Sequence, residues 1–217
     1  MSRIRILVAL LALGIGACKD DPAGPGASDE PGSGSAVVMK GILVGSVYSG
    51  DLELTVAATG SGNTFPVTGC VYLSVATCTS VSGTYNSGAK ALAAATGSPS
   101  LSFAGTYVNR EIHGSFTGAD SGEFVLINGT VTVYCGTFTG DASGTWNFTI
   151  AGSGLDGIYD DGSGPDDLTG SVSGNNVSIT FSGGTATGTI SGASASGGWT
   201  ASPSSGTWSG SSSGCRS

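Results

Sequence analysis

One histidine, His113, stands in a chain of 217 residues, and from Arg110 to Arg216 there is no lysine or arginine between them. No G-x-S-x-G elbow, no H-E-x-x-H and no His/Cys cluster with metal-ligand spacing occurs, so the common nucleophilic and zinc chemistries lack their residues. Glycosidase chemistry needs two carboxylates alone, but nothing in the sequence singles out a pair. His113 lies in "NREIHGSFTG". On a strand, Glu111 and His113 share a face, which makes a general base of His113 conceivable; the ordinary alternative is an exposed polar pair, and no catalytic residue is assigned. Helical periodicity is confined to "AKALAAA", Ala89 to Ala95, too short to hold a helix by itself. No apolar run reaches the roughly 20 residues that a membrane-spanning helix needs.

What the chain does have is glycine, 39 of 217 residues, with abundant serine and threonine. It also has an amino-terminal address. Arg3 and Arg5 precede an apolar run from Ile6 to Ile15, and the small residues Gly16 and Ala17 stand before Cys18. This is the layout of a cleaved export signal. The segment Ile15-Gly16-Ala17-Cys18 resembles the lipobox of bacterial lipoproteins. The resemblance implies cleavage after residue 17, a diacylglyceryl group on the Cys18 sulfur and an acylated new amino terminus. Several acyl chains anchor stably where one does not. Lys19 after the cysteine implies sorting to the outer membrane, by analogy with enterobacterial lipoproteins. Residues 18–35, including "DDPAGPGASDEPGSGS", are expected to be a flexible acidic tether, because they offer too little apolar surface to offset ordering. Residues 36–217 are then expected to form a single all-β domain.

Loss of Arg3 and Arg5 leaves five basic against fifteen acidic residues, a charge of about −10. Phosphate backbones would be repelled, which excludes nucleic acid as a partner. Past Cys18, four cysteines remain: Cys70, Cys78, Cys135 and Cys215. An even number in an exported chain predicts two disulfides without fixing their pairing. Cys70 with Cys78 is the local choice, yet "VYLSVAT" between them reads as strand, and a straight strand would hold the sulfurs ~26 Å apart. A local pair therefore requires a bend; otherwise both cysteines pair at a distance. Cys215 would staple down the last strand.

Period-two alternation marks strands. Trp146, Phe148 and Ile150 share one face of "TWNFTI", and Val177, Ile179 and Phe181 one face of "NVSITF". In "TVTVYC" the same logic turns Val131, Val133 and Cys135 inward. A triplet of glycine, a small residue and an aromatic recurs at Gly83, Gly105, Gly114, Gly136, Gly144 and Gly206. Glycine at such a place lets an aromatic from a neighbouring strand lie across the backbone. The spacing predicts an antiparallel up-and-down meander of ten to twelve strands, closed or nearly closed into a barrel to remove its edges. In texture it resembles avidin-like and lipocalin-like barrels, with no ligand-contact residues to carry over.

One polar cluster stands out in "LDGIYDDGSGPDDLTG": Asp156, Asp160, Asp161, Asp166 and Asp167. Gly/Asp loops can supply the oxygen ligands that Ca²⁺ takes, although the spacing is not that of an EF-hand. The plainer reading is a solvated hairpin loop of turn-forming residues. The functional expectation is a non-enzymatic, lipid-anchored envelope protein. Two roles compete: a module holding a small molecule or glycan in the barrel mouth, and a structural protein with a packed barrel that meets envelope partners.

Overall fold

The alternating segments pair into sixteen antiparallel strands, and they close twice. A computed structural model describes residues 30–216. The first barrel comprises β1 (Val37–Gly45), β2 (Ser49–Val56), β3 (Thr64–Tyr72), β4 (Thr79–Asn86), β5 (Ala91–Thr96), β6 (Leu101–Val108), β7 (Glu111–Gly118) and β8 (Gly122–Asn128). The second comprises β9 (Thr132–Gly140), β10 (Gly144–Ala151), β11 (Gly154–Asp160), β12 (Pro165–Ser173), β13 (Asn176–Phe181), β14 (Gly184–Ser191), β15 (Ser194–Ala201) and β16 (Ser204–Ser211). In each, the last strand pairs with the first, β8 with β1 and β16 with β9. The all-β barrel expected from the sequence is present; the expected single meander of ten to twelve strands is instead two barrels of eight. Eight strands enclose a space that side chains can just fill, or that can hold one small ligand.

Both interiors are built from the predicted alternation. In the first, residues such as Leu43, Leu54, Tyr85, Phe103, Phe116 and Phe124 meet in one core. In the second, Trp146, Phe148, Val177, Ile179, Trp199 and Trp208 do the same. At Gly114, Gly136, Gly144 and Gly206 of the recurring triplet, a ring from the adjacent strand lies on the glycine, whereas Gly83 meets Ala94. A methyl group on Gly136 would sit 2.6 Å from the Trp146 ring, and one on Gly206 would sit 2.5 Å from the Trp199 indole nitrogen. In the second barrel, the β10–β11, β12–β13 and β14–β15 hairpins turn on Gly152, Gly174 and Gly192, whose φ of about +60° suits the first central position of a II′ turn. Outward positions of β12–β16 are hydroxyl-bearing: Thr169, Thr180, Thr185, Thr200 and Ser205 form one exposed row across five strands. These threonines are thus strand exteriors, as β propensity favours.

The barrels pack side by side. Ile42 and Val44 on β1, Val125 and Ile127 on β8, and Ile158 on β11 form a buried cluster outside both interiors, with Val131, Val133 and Ala151 against it. This corrects the expected facing of "TVTVYC": Val131 and Val133 point away from the second barrel's interior, toward the first barrel, and Tyr134 points in. Cys135 is buried nevertheless, because a 3₁₀ turn (Gly214–Arg216) covers it and Cys215 bonds to it across 80 residues. The second disulfide is the local one, Cys70–Cys78, with Cα atoms 5.2 Å apart. The bend it requires lies in residues 73–77, where Ser74 has φ 53°.

The signal at residues 1–17 and the lipidation site Cys18 lie outside the described residues. Part of the expected free tether is folded: Pro31 is buried, Gly32 packs on the Phe65 ring, and Glu30 pairs with Lys90 at 3.0 Å. The proline and the ring contact supply apolar burial that composition alone did not assign to this segment.

Candidate binding site

The first barrel's interior carries a continuous core of buried side chains from all eight strands. At the end carrying the β1–β2 turn, Tyr48 and Leu73 pack onto its core. Asp120 fixes that end by accepting hydrogen bonds from the Ser46 hydroxyl (2.8 Å) and from the Val47 and Tyr48 backbone N–H groups (3.0 and 2.8 Å). Burial pushes the Asp120 carboxyl up, but these bonds and one from the Ser121 N–H outweigh it, so the net shift is below the usual carboxylate value. At the other end, burial first and the Glu30 charge second push the Tyr85 phenol up to about 12.

The second barrel is open at one end. A cavity of about 260 Å³ opens among the β9–β10, β11–β12, β13–β14 and β15–β16 connections. Its wall is aromatic: Phe138, Trp146, Phe148, Tyr159, Phe181, Trp199 and Trp208, with Leu168 and Ile179 beside them. Small side chains leave the space, since Ala142, Ala186, Ala201, Ser182 and Ser204 stand at lining positions where larger ones would fill it. The rings brace one another. Trp146 stacks on Phe148 with centroids 4.6 Å apart, Trp146 meets Trp208 edge-on at 5.3 Å, and Tyr159 meets Phe181 edge-on at 5.4 Å. Such pairs hold a wall in place beyond what burial contributes.

All three indole N–H groups are already used. Trp146 donates to the Thr137 carbonyl (3.1 Å), Trp199 to the Thr139 carbonyl (3.1 Å), and Trp208 to the Thr187 and Gly198 carbonyls (3.3 and 3.2 Å). What the tryptophans offer to a guest is therefore ring surface. The Tyr159 hydroxyl donates to Asp166 (3.3 Å). Burial, then the Asp166 charge, raises this phenol to about 12, so it remains a donor at neutral pH. Asp161 also lines the cavity; its carboxylate accepts from the Ser163 hydroxyl (2.6 Å) and backbone N–H (3.0 Å). Those two bonds, hydroxyl first, hold its carboxyl below the usual range.

The five aspartates singled out in the sequence are distributed rather than gathered. Asp160 caps its own loop, accepting from the Gly162 and Gly164 N–H groups (2.6 and 3.3 Å), and Asp166 takes the N–H of Asp167 (2.9 Å). Asp156 lies on β11, on the side facing the first barrel, where burial and then the Glu111 charge raise its carboxyl. Among the described residues, no group of three His, Cys, Asp or Glu side chains converges to hold a metal ion. Of the five, only Asp161 stands in the β11–β12 loop; Asp156 and Asp160 belong to β11, and Asp166 and Asp167 to β12. Glu111 and His113 do share a face, with His113 Nε2 3.0 Å from Glu111 Oε2, the imidazole exposed and the carboxylate half-buried.

Sequence reasoning placed Trp146, Phe148, Ile179 and Phe181 on one inward face but could not see that they surround an opening. The signal was present in the alanines of "SASGGWTA" and "GTATGTIS", where a packed barrel would carry larger inward residues. Among the described residues, no helix is long and apolar enough to cross a membrane. Comparison with protein families, with curated proteins and with solved structures returned no match for this chain.

Proposed function

We propose that this chain is a lipid-anchored, non-enzymatic protein of the bacterial cell envelope whose second barrel holds one compact, largely apolar molecule in its mouth. The observation that carries this reading is the pairing of an open cavity of about 260 Å³ with a wall of seven aromatic rings whose indole N–H groups are spent on the backbone. Concave, mostly apolar sites with few polar groups are the usual form of small-molecule pockets, commonly ~300 Å³ and upward; this one suits a small guest. A glycan would find ring faces here but few side-chain donors and acceptors to orient its hydroxyls. The anchor rests on the lipobox resemblance at Ile15 to Cys18, and placement in the outer membrane rests on Lys19.

A second role is favoured by a different observation. The first barrel is filled and closed at the Asp120 end, which suits a rigid spacer or an interaction surface for other envelope proteins. The two roles divide between the barrels: the first supports, the second binds.

Native mass spectrometry of the chain, extracted gently from its host membrane, tests both halves. The expected result is acyl mass at Cys18, four hydrogens lost to two disulfides, and a reproducible small-molecule adduct. An unacylated chain overturns the anchor. A chain that carries no adduct and takes up no apolar probe overturns the binding role.

A further inference from the structure

We infer that the guest of the second barrel is cationic, an alkyl- or arylammonium whose charge sits at the mouth beside Asp161 while its apolar body lies against the rings of Trp146, Tyr159 and Trp199. This rests on the binding reading and adds the chemical class of the ligand.

The inference starts from charge. From Thr132 to Ser211 the chain contains no lysine, arginine or histidine, so every charged side chain of the second barrel is an aspartate. At the open end, most of these carboxylates are committed elsewhere. Asp160 accepts from loop N–H groups, Asp141 from the Ser205 N–H (2.9 Å), and Asp166 from Tyr159 and Asp167. Asp161 alone among them lines the cavity. The Ser163 hydroxyl and N–H bond its Oδ1, which favours the ionised form and leaves Oδ2 for a guest.

Seven of the other lining residues are aromatic, and an aromatic ring attracts a cation placed over its face within about 6 Å of the centroid. An aromatic cage under a carboxylate is complementary to an ammonium with an apolar body. A carboxylate or phosphate guest would meet repulsion at the mouth with no cationic side chain to offset it. A neutral guest gains the rings but not the charge.

The test uses three probes of one shape on the purified full-length chain: 4-phenylbutyl-trimethylammonium, 4-phenylbutanol and 4-phenylbutyrate. The chain has three tryptophans, and all three line this cavity, so intrinsic fluorescence reports on the site itself. The expected order is cation tighter than alcohol by about tenfold, with butyrate weakest. Raising salt from 20 to 500 mM should narrow the gap several-fold. Asp161→Asn, which keeps the acceptor for Ser163 on an exposed residue, should bring the cation to within about threefold of the alcohol. Equal binding of cation and alcohol, or an unaltered preference in Asp161→Asn, overturns the charge assignment and leaves the pocket standing. No fluorescence response to any of the three overturns the pocket as well.

Discussion

The Asn147 side-chain amide of the second barrel donates a 2.8 Å hydrogen bond to the backbone carbonyl of Leu43 in the first, 104 residues away. The same nitrogen reaches the Ser49 hydroxyl at 2.8 Å and the Gly50 carbonyl at 3.3 Å. Asn147 is 1% exposed, so these bonds lie in the apolar seam between the barrels, where a lost partner is costly. Asn147→Ala should destabilise the chain by about 1–3 kcal/mol, and thermal unfolding should shift from one transition toward two as the barrels uncouple. Differential scanning calorimetry reads both effects.

A second link is Arg216, whose guanidinium grips Asp51 of β2 through two nitrogens and lies 3.7 Å over the Tyr72 ring. The turn that carries Arg216 is tied to β9 by Cys135–Cys215. On chain-entropy grounds, a bridge closing 80 residues stabilises by about 4.5 kcal/mol, against about 2.5 for the eight-residue span of Cys70–Cys78. The paired variant Cys135→Ala with Cys215→Ala should therefore melt well below the paired variant Cys70→Ala with Cys78→Ala.

The ring-over-glycine contacts set a third expectation. Gly136→Ala places a methyl 2.6 Å from the Trp146 ring and against the β16 backbone. Such overpacking costs about 1–3 kcal/mol, or roughly 2–10 °C in melting temperature for a chain of this size. Because Trp146 forms part of the cavity wall, the tryptophan emission should shift together with the melting point.

Acidic groups along the seam give a pH dependence. Burial, then the charges of Asp167 and Asp166, raises the Glu123 carboxyl; burial, then Glu111, raises Asp156. Groups raised above their unfolded values of 4.5 and 3.8 bind more protons when folded. Their stabilisation is complete below those values and is lost as pH rises through the folded ones. Asp120, lowered in the fold, acts oppositely and loses its contribution as pH falls below the usual carboxylate range. Asp156→Asn should raise the melting temperature at pH 7 by a degree or two and flatten its rise on acidification toward pH 5.

How far the sequence revealed this molecule depends on which physical signal each feature left. Alternation exposed the inward residues of β10 and β13 because one face of each strand is polar. The boundary between barrels left little: β8 and β9 are joined by residues 129–131 alone, shorter than several hairpin loops, although, Arg216 apart, the basic residues and glutamates end before it. A trace lies in "ILV" at Ile42 to Val44 and "FVLI" at Phe124 to Ile127, apolar on both faces where the other strands alternate. Continuous runs of this kind mark strands covered on both sides, and the second cover is the neighbouring barrel. Val131 and Val133 pack against the cluster between the barrels, and period-two alternation reads such an outward apolar residue as inward because it assumes a single core. The cavity depends on how small inward residues line up across strands at one level, and that requires the register.

The central claim is that the second barrel's mouth receives a guest, and filling it tests this most directly. Ala142 lines the cavity from the β9–β10 loop, so Ala142→Phe adds a ring to the opening without touching the strand ladder. Calorimetric titration with 4-phenylbutanol should show a single site in the native chain and at least tenfold weaker binding in the filled variant, at an unchanged melting temperature. Equal affinity in the two proteins would contradict the account.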